Sequence, residues 1–323
     1  MTAALPYPYK KKILIVLFVS LLLFLGFSKA LLQFGDSFIR EMAAQSALVR
    51  GDEMLNQRNY SSAVQEFRSF AMLAPDDYRA VSRLSESLIL RGEIKEARVQ
   101  AARALSLADE GEEVDALSRL ARAEMGTEAA VATVDRAWEI SSESQRETLA
   151  LVRAAAYRRA TDYSAATKMY RDYLVDRPES GEAWYGLAIS SEGVQDFADL
   201  REQWANAAQW VDGEYTADYG NIVNRNRERA AYFMAQEKAS ELSAEDYASW
   251  GVALKGNGLW DQAQERFEQA RDAGRVTPVT LYWLGVNAEI QGDVDKAKAL
   301  YTGALDIDPS HEESKRAIER LGE

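Results

Sequence analysis

Cysteine is absent from this chain of 323 residues. No disulfide, thiolate metal site or cysteine nucleophile can therefore exist, and a lipoprotein anchor, which needs a cysteine at its cleavage site, is excluded as well. Histidine is nearly absent. His311 stands alone, and a catalytic or metal-binding imidazole ordinarily needs partners. Prolines number only six, while alanine is abundant, so long helices are favoured. The hairpin dipeptide Asn-Gly is confined to Asn257-Gly258. No phosphate-binding loop, nucleophile elbow or His-Glu-x-x-His helix is found. Catalytic, cofactor-binding and metal-ligating residues are accordingly expected to be none, and an enzyme is not expected.

Positive charge is in deficit, with a net charge of −13. Residues 1–40 hold Lys10, Lys11, Lys12, Lys29 and Arg40 against Asp36, a net +4, which leaves −17 for the remainder. So acidic a body argues against nucleic acid as a partner and against lying on anionic lipid.

What the chain does have is one uncharged apolar run, Ile13–Ser28, directly after Lys10, Lys11 and Lys12. As a helix this run is roughly 24 Å long, short of a ~30 Å hydrocarbon core. The apolar character resumes after Lys29, and a helix carried on to Phe34 reaches roughly 33 Å and spans, with Lys29 snorkelling to an interface. The preceding lysines put the N-terminus in the cytoplasm and the rest of the chain outside it. In a Gram-negative cell that places the repeats in the periplasm. A cleaved signal peptide ending near Ser28-Lys29-Ala30 is the rival reading. Lys29 sits awkwardly in such a site and the apolar pattern runs past it, so an anchor is preferred. Both readings send the remaining chain to the same compartment.

Beyond residue 40 the sequence is self-similar with a period near 34. Residues 278–311 contain Leu281, Leu284-Gly285, Ala288, Gly292, Ala297, Tyr301, Ala304 and Pro309. Residues 244–277 repeat the pattern with Trp250-Gly251, Gly258, Trp260, Ala263, Phe267 and Ala270. Further copies fall at 44–77, 78–110, 111–146, 147–180 and 181–214. The small residue of the second helix, or its substitute, falls at Ala63, Ala97, Ala130, Ala166, Leu200, Ala263 and Ala297. Gly or Ala is needed where two antiparallel helices approach, and bulky residues fill the spaces between. This pattern resembles the tetratricopeptide repeat. The resemblance covers about 250 residues and implies an all-α, right-handed superhelical solenoid of antiparallel helix pairs, here preceded by one transmembrane helix.

The expected organisation is a basic cytoplasmic tail at 1–12, a signal-anchor helix at 13–34 and a short linker at 35–43. Five repeat units follow at 44–214, then a degenerate unit or hinge at 215–243. Two more units occupy 244–309, and a capping helix at 310–323 begins on an N-cap, Ser310. Within 215–243, Arg227–Leu242 reads as one helix.

In the family, ligands lie along a concave face lined by the first helix of each unit. The resemblance carries that role to Leu151, Arg158, Arg159, Tyr185, Ile189, Val252, Lys255, Tyr282, Val286 and Ile290. Members that grip a C-terminal carboxylate use Lys at the fifth and Asn at the ninth repeat position. Here those positions hold pairs such as Ser82/Glu86, Asp115/Arg119, Tyr185/Ile189 and Tyr282/Val286, so that clamp is not expected. The apolar C-terminal lining suits a helix or extended peptide. The resulting expectation is a membrane-anchored scaffold that binds membrane-proximal proteins during assembly of an envelope complex, such as secretion, pilus, polysaccharide or cytochrome machinery. Self-association through other faces remains open. A chaperone-like holder of newly translocated chains is the alternative.

Overall fold

The computed structural model describes residues 36–210, 217–238, 242–274 and 276–322. The apolar run at 13–34 and the tail before it lie outside the described residues. Among those described, no helix is long and apolar enough to cross a membrane. Their regular structure is entirely helical, in sixteen helices.

The chain divides into two compact units at Ala123–Glu124. The N-terminal unit holds α1 (36–56), α2 (Tyr60–Leu73), α3 (Tyr78–Arg91), α4 (Ile94–Leu107) and α5 (Glu113–Ala123). The C-terminal unit begins with α6 (Glu128–Ile140), α7 (Glu143–Arg159), α8 (Tyr163–Asp176), α9 (Gly181–Val194) and α10 (Leu200–Gln209). It continues with α11 (Ala217–Glu237), α12 (Ala244–Lys255), α13 (Trp260–Asp272), α14 (Pro278–Ile290), α15 (Val294–Ile307) and α16 (Glu312–Gly322).

Helix starts follow local chemistry. Asn59, Asp77, Asp162, Ser180, Ser243, Thr277 and Asp293 each accept a hydrogen bond from a backbone N–H of the first turn. Pro278 occupies the first turn of α14, where its missing N–H costs nothing. The turn between the two helices of a unit contains a residue with positive φ. Gly92, Gly258 and Gly292 supply it without strain, whereas Arg58, Thr161 and Gln195 adopt the same conformation with a side chain.

Packing repeats as well. Ala63, Ala97, Ala130, Ala166, Leu200, Ala263 and Ala297 are all buried. In α1, α12 and α14 a glycine lies against an aromatic ring of the following helix. A Cβ on Gly51, Gly251 or Gly285 would come within 2.5–2.7 Å of the ring of Phe67, Phe267 or Tyr301. Glycine is what lets those helices approach.

Three expectations are corrected. Residues 36–43 are not a linker; they are helical, part of α1, and exposed. The helix within 215–243 is Ala217–Glu237, because its apolar face begins earlier than Arg227. Buried Val223, Ala230 and Phe233 line that face, and Phe233 stacks on Trp250 with centroids 6.4 Å apart. At the C-terminal helix the capping group is His311 instead of Ser310. Its Nδ1 accepts from the backbone N–H of Ser314 at 3.3 Å, while the Ser310 hydroxyl donates to Asp308.

Candidate partner-binding surfaces

In the N-terminal unit the first helices α1, α3 and α5 present charge. Arg83 on α3 reaches Asp52 of α1 at 3.3 Å and Glu86 of its own helix at 3.0 Å. Arg119 on α5 contacts Glu86 at 3.6 Å and pairs with Asp115. The Tyr78 hydroxyl donates to Asp115 at 2.9 Å. The result is a ladder of alternating charge across three helices. Asp52 and Arg83 keep about 40% of their side-chain surface exposed. Such half-solvated pairs contribute little stability, about 0–1 kcal/mol each, but they hold the charges in fixed positions. Elsewhere in this unit Arg68 binds Glu96 at 2.5 Å and joins α2 to α4.

The C-terminal unit treats the corresponding face differently. Lys255, at the end of α12, is buried, and its ammonium pairs with Glu192 of α9. It lies 4.5 Å from the ring centre of Trp204 and 3.9 Å from that of Trp283. Burial lowers the lysine pKa from its ordinary value, and the Glu192 carboxylate opposes that shift. Phe197, Leu200 and Trp204 pack in one cluster with Trp260, Tyr282, Val286 and Tyr301. The Gln195 amide donates to the Glu313 carbonyl at 2.7 Å, Arg316 donates to the Gly193 carbonyl at 2.9 Å, and Arg320 lies over the Phe197 ring. Arg201 meets Asp261 at 2.5 Å. A Cβ on Gly258 would fall 2.8 Å from the Ala205 Cα, so the α12–α13 turn approaches α10 only because that residue is glycine.

The expected groove is thus filled by the chain itself. Tyr282, Val286 and Lys255 are buried, and Tyr185, Ile189 and Ile290 pack at the edge of the same cluster. The apolar side chains expected to line a partner-binding groove pack in one cluster with Phe197, Leu200 and Trp204. Full burial of one large apolar side chain contributes about 1.5–3 kcal/mol, while desolvating an ion costs several kcal/mol. Apolar gain and the cost of burying Lys255 and Glu192 are therefore of similar size. Leu151 sits instead in a separate cluster with Tyr170 and Trp184. Arg158 donates to the Tyr170 hydroxyl at 3.3 Å, Arg159 is exposed, and Val252 is 37% exposed. Burial raises the pKa of Tyr170, Tyr185, Tyr282 and Tyr301; nearby Glu192 and Glu289 add to the rise at the last two.

One open cavity of about 480 Å³ lies between α6, α7 and α8, floored by Ala150, Met169 and Tyr173. Trp138 forms its wall, with Arg146 and Arg153 on the ring at 5.4 and 4.9 Å. Arg153 and Tyr157 both donate to Asp135 at 2.7 Å. Among the described residues no group of three His, Asp or Glu is placed to hold a metal. His311 is committed to its cap, 5.6 Å from the Tyr282 ring.

Helix pairs with small residues at their contacts and left-handed turns at regular intervals define a helical-repeat protein. A family model for the tetratricopeptide repeat matches at residues 48–113 and 249–312. Similar solved structures include a tetratricopeptide repeat protein from Parabacteroides merdae, 14% identical, with 87% of this chain and 100% of that chain aligned at a TM-score of 0.42. Another is the APC/C hetero-tetramer Cut9-Hcn1, 11% identical, with 85% of this chain and 52% of that chain aligned at a TM-score of 0.45. No curated protein matches the sequence.

Proposed function

We propose that this protein is a non-enzymatic, membrane-anchored scaffold. Residues 13–34 hold it in the membrane and residues 1–12 face the cytoplasm. The repeats, outside the cytoplasm, recruit one or more membrane-proximal proteins during assembly of a cell-envelope complex. The observation that carries this reading is the ladder Asp52–Arg83–Glu86–Arg119–Asp115. It is ordered by its own pairs, yet Asp52, Arg83 and Asp115 stay substantially exposed. A fixed pattern of alternating charge selects a partner of complementary pattern and speeds its docking. The ladder's first residue, Asp52, lies 18 residues after Phe34, which keeps the partner near the membrane.

The test is capture of a stoichiometric partner by the full chain, with and without Arg83→Glu and Arg119→Glu together. Loss of capture by tenfold or more is expected, with the helical circular dichroism signal retained. Undiminished capture would move the partner off this face. A broad set of weakly held clients, in place of one complex, would favour a holder of translocated chains. A reporter fused after Glu323 should be active outside the cytoplasm, and cytoplasmic activity would overturn the topology.

A further inference from the structure

We propose that α1 carries a self-association seam, in which Phe38, Met42, Gln45 and Val49 meet the same residues of a second copy of this chain as a parallel two-stranded coiled coil. The inference does not rest on the charge ladder or on any protein that the ladder recruits.

Helix α1 is apolar on two sides. Ala44 and Ala47 are buried in the core of the N-terminal unit, and Gly51 lies against the Phe67 ring. At about 100° per residue, Phe38, Met42, Gln45 and Val49 form a second stripe, roughly 150° around the helix from the first. Phe38, Met42 and Val49 are 55%, 58% and 65% exposed. A surface helix ordinarily turns a polar face to water. A second apolar stripe therefore calls for a second partner.

The spacing of the stripe identifies that partner. Its steps are 4, 3 and 4 residues, the spacing of the inner positions a and d of a coiled coil. Met42 and Val49 take a; Phe38 and Gln45 take d. Read back through the sequence, the same register assigns Gly35, Leu31, Ser28 and Phe24 to a and d. Lys29, Gln33, Asp36 and Arg40 all fall at b and f, the positions farthest from the seam, and Glu41 falls at the flanking position g. Lipid has no reason to impose such a register. A second copy does, because a heptad stripe on an identical helix is its own complement. Gln45, the polar residue of the exposed stripe, would meet Gln45 of the other copy and hold the two helices in register, as a polar residue at one inner position does.

The chain has no cysteine, so single cysteines report contact between copies directly. Full chains carrying Met42→Cys, Val49→Cys or, off the seam, Arg40→Cys are oxidised with copper phenanthroline in unfractionated lysate and separated without reductant. Met42→Cys and Val49→Cys are each expected to give disulfide-linked dimers about tenfold faster than Arg40→Cys. Dimers at both positions require a parallel, in-register pairing. Equal rates at all three positions would overturn the proposal. So would the absence of dimers, which is the result expected if lipid or a different protein covers the stripe. Phe38→Glu with Val49→Glu, added to Met42→Cys, should slow dimer formation about tenfold while the helical circular dichroism signal is kept, because both side chains are exposed in the single chain. Undiminished dimer formation in that variant would also overturn it.

Discussion

At the ninth position of the repeat the N-terminal unit places Glu86 and Arg119, and the C-terminal unit places Ile189 and Val286. The backbone framework is the same in both: a glycine against an aromatic ring, a buried small residue in the second helix, a left-handed turn between helices. The fate of the inner face differs. Glu86 and Arg119 are paired and remain partly solvated, because covering them would cost the hydration of every charge in the ladder. Ile189 and Val286 have no such cost, so Val286 is buried and Ile189 half-buried in the cluster of Phe197, Leu200 and Trp204. Fold and surface are thus specified separately, the first by small and aromatic residues at contacts, the second by what stands at the inner positions.

This contrast can be broken by single substitutions. The largest effect is expected at the buried ion pair. Glu192→Ala leaves Lys255 buried without its carboxylate and should destabilise the closed C-terminal unit by about 3–5 kcal/mol. Glu86→Ala, in the half-solvated ladder, should cost about 1 kcal/mol or less. All seven tryptophans lie beyond residue 137, so urea unfolding followed by tryptophan fluorescence reports the C-terminal unit alone. Circular dichroism reports both. Equal losses from the two substitutions would erase the distinction.

Next in size is a change that should not discriminate. Gly51→Val and Gly285→Val each drive a side chain into a ring, Phe67 or Tyr301, at 2.5 Å. Both are expected to cost about 1–3 kcal/mol by overpacking, because both units rest on the same contact. A large loss in one unit only would mean that the frameworks differ.

Alkaline pH should again separate the units. Tyr170, Tyr185, Tyr282 and Tyr301 have folded pKa values raised above the ordinary 10.0. The unfolded chain releases those protons first, so their contribution is lost as pH rises past about 10. Lys255, lowered by burial, works in the opposite direction below about 10.4, whereas the tyrosines act above about 10. Among the described residues of the N-terminal unit no tyrosine is buried. Tryptophan-monitored unfolding should therefore show the C-terminal unit weakening at high pH, and an unchanged midpoint would contradict the burial.

The smallest effects lie in the turns. Arg58→Gly should stabilise the N-terminal unit by about 1 kcal/mol through relief of left-handed strain. Gln195→Gly relieves the same strain but loses the bond to the Glu313 carbonyl, so little or no gain is expected. A matching gain at both sites would mean that Gln195 contributes nothing to closure.

Much of the framework is readable from the residues alone. Ala63 through Ala297 mark the buried positions because only small side chains fit between close helices. The turns are legible at Gly92, Gly258 and Gly292 but not at Arg58, Thr161 and Gln195, where tertiary context imposes a conformation that the side chain disfavours. The closure of the groove is not legible at all. Glu192 and Lys255 are 63 residues apart, and a repeat pattern assigns each residue neighbours in its own and adjacent units only. Tyr282 and Val286 therefore look like an open lining until their occupant is seen. Likewise, the exposed stretch of α1 carries Phe38, Ile39 and Met42, an apolar set that the repeat period leaves unassigned.

The most direct test compares the two inner faces at equivalent positions. In a chain with no other thiol, Glu86→Cys and Val286→Cys each place one thiol at the ninth position of a repeat, and both react at a measurable rate with a small maleimide. The thiol at 286 is expected to react at least 100-fold more slowly than the thiol at 86, with both proteins folded by circular dichroism. Equal rates would show that residues 192–204 do not fill the groove.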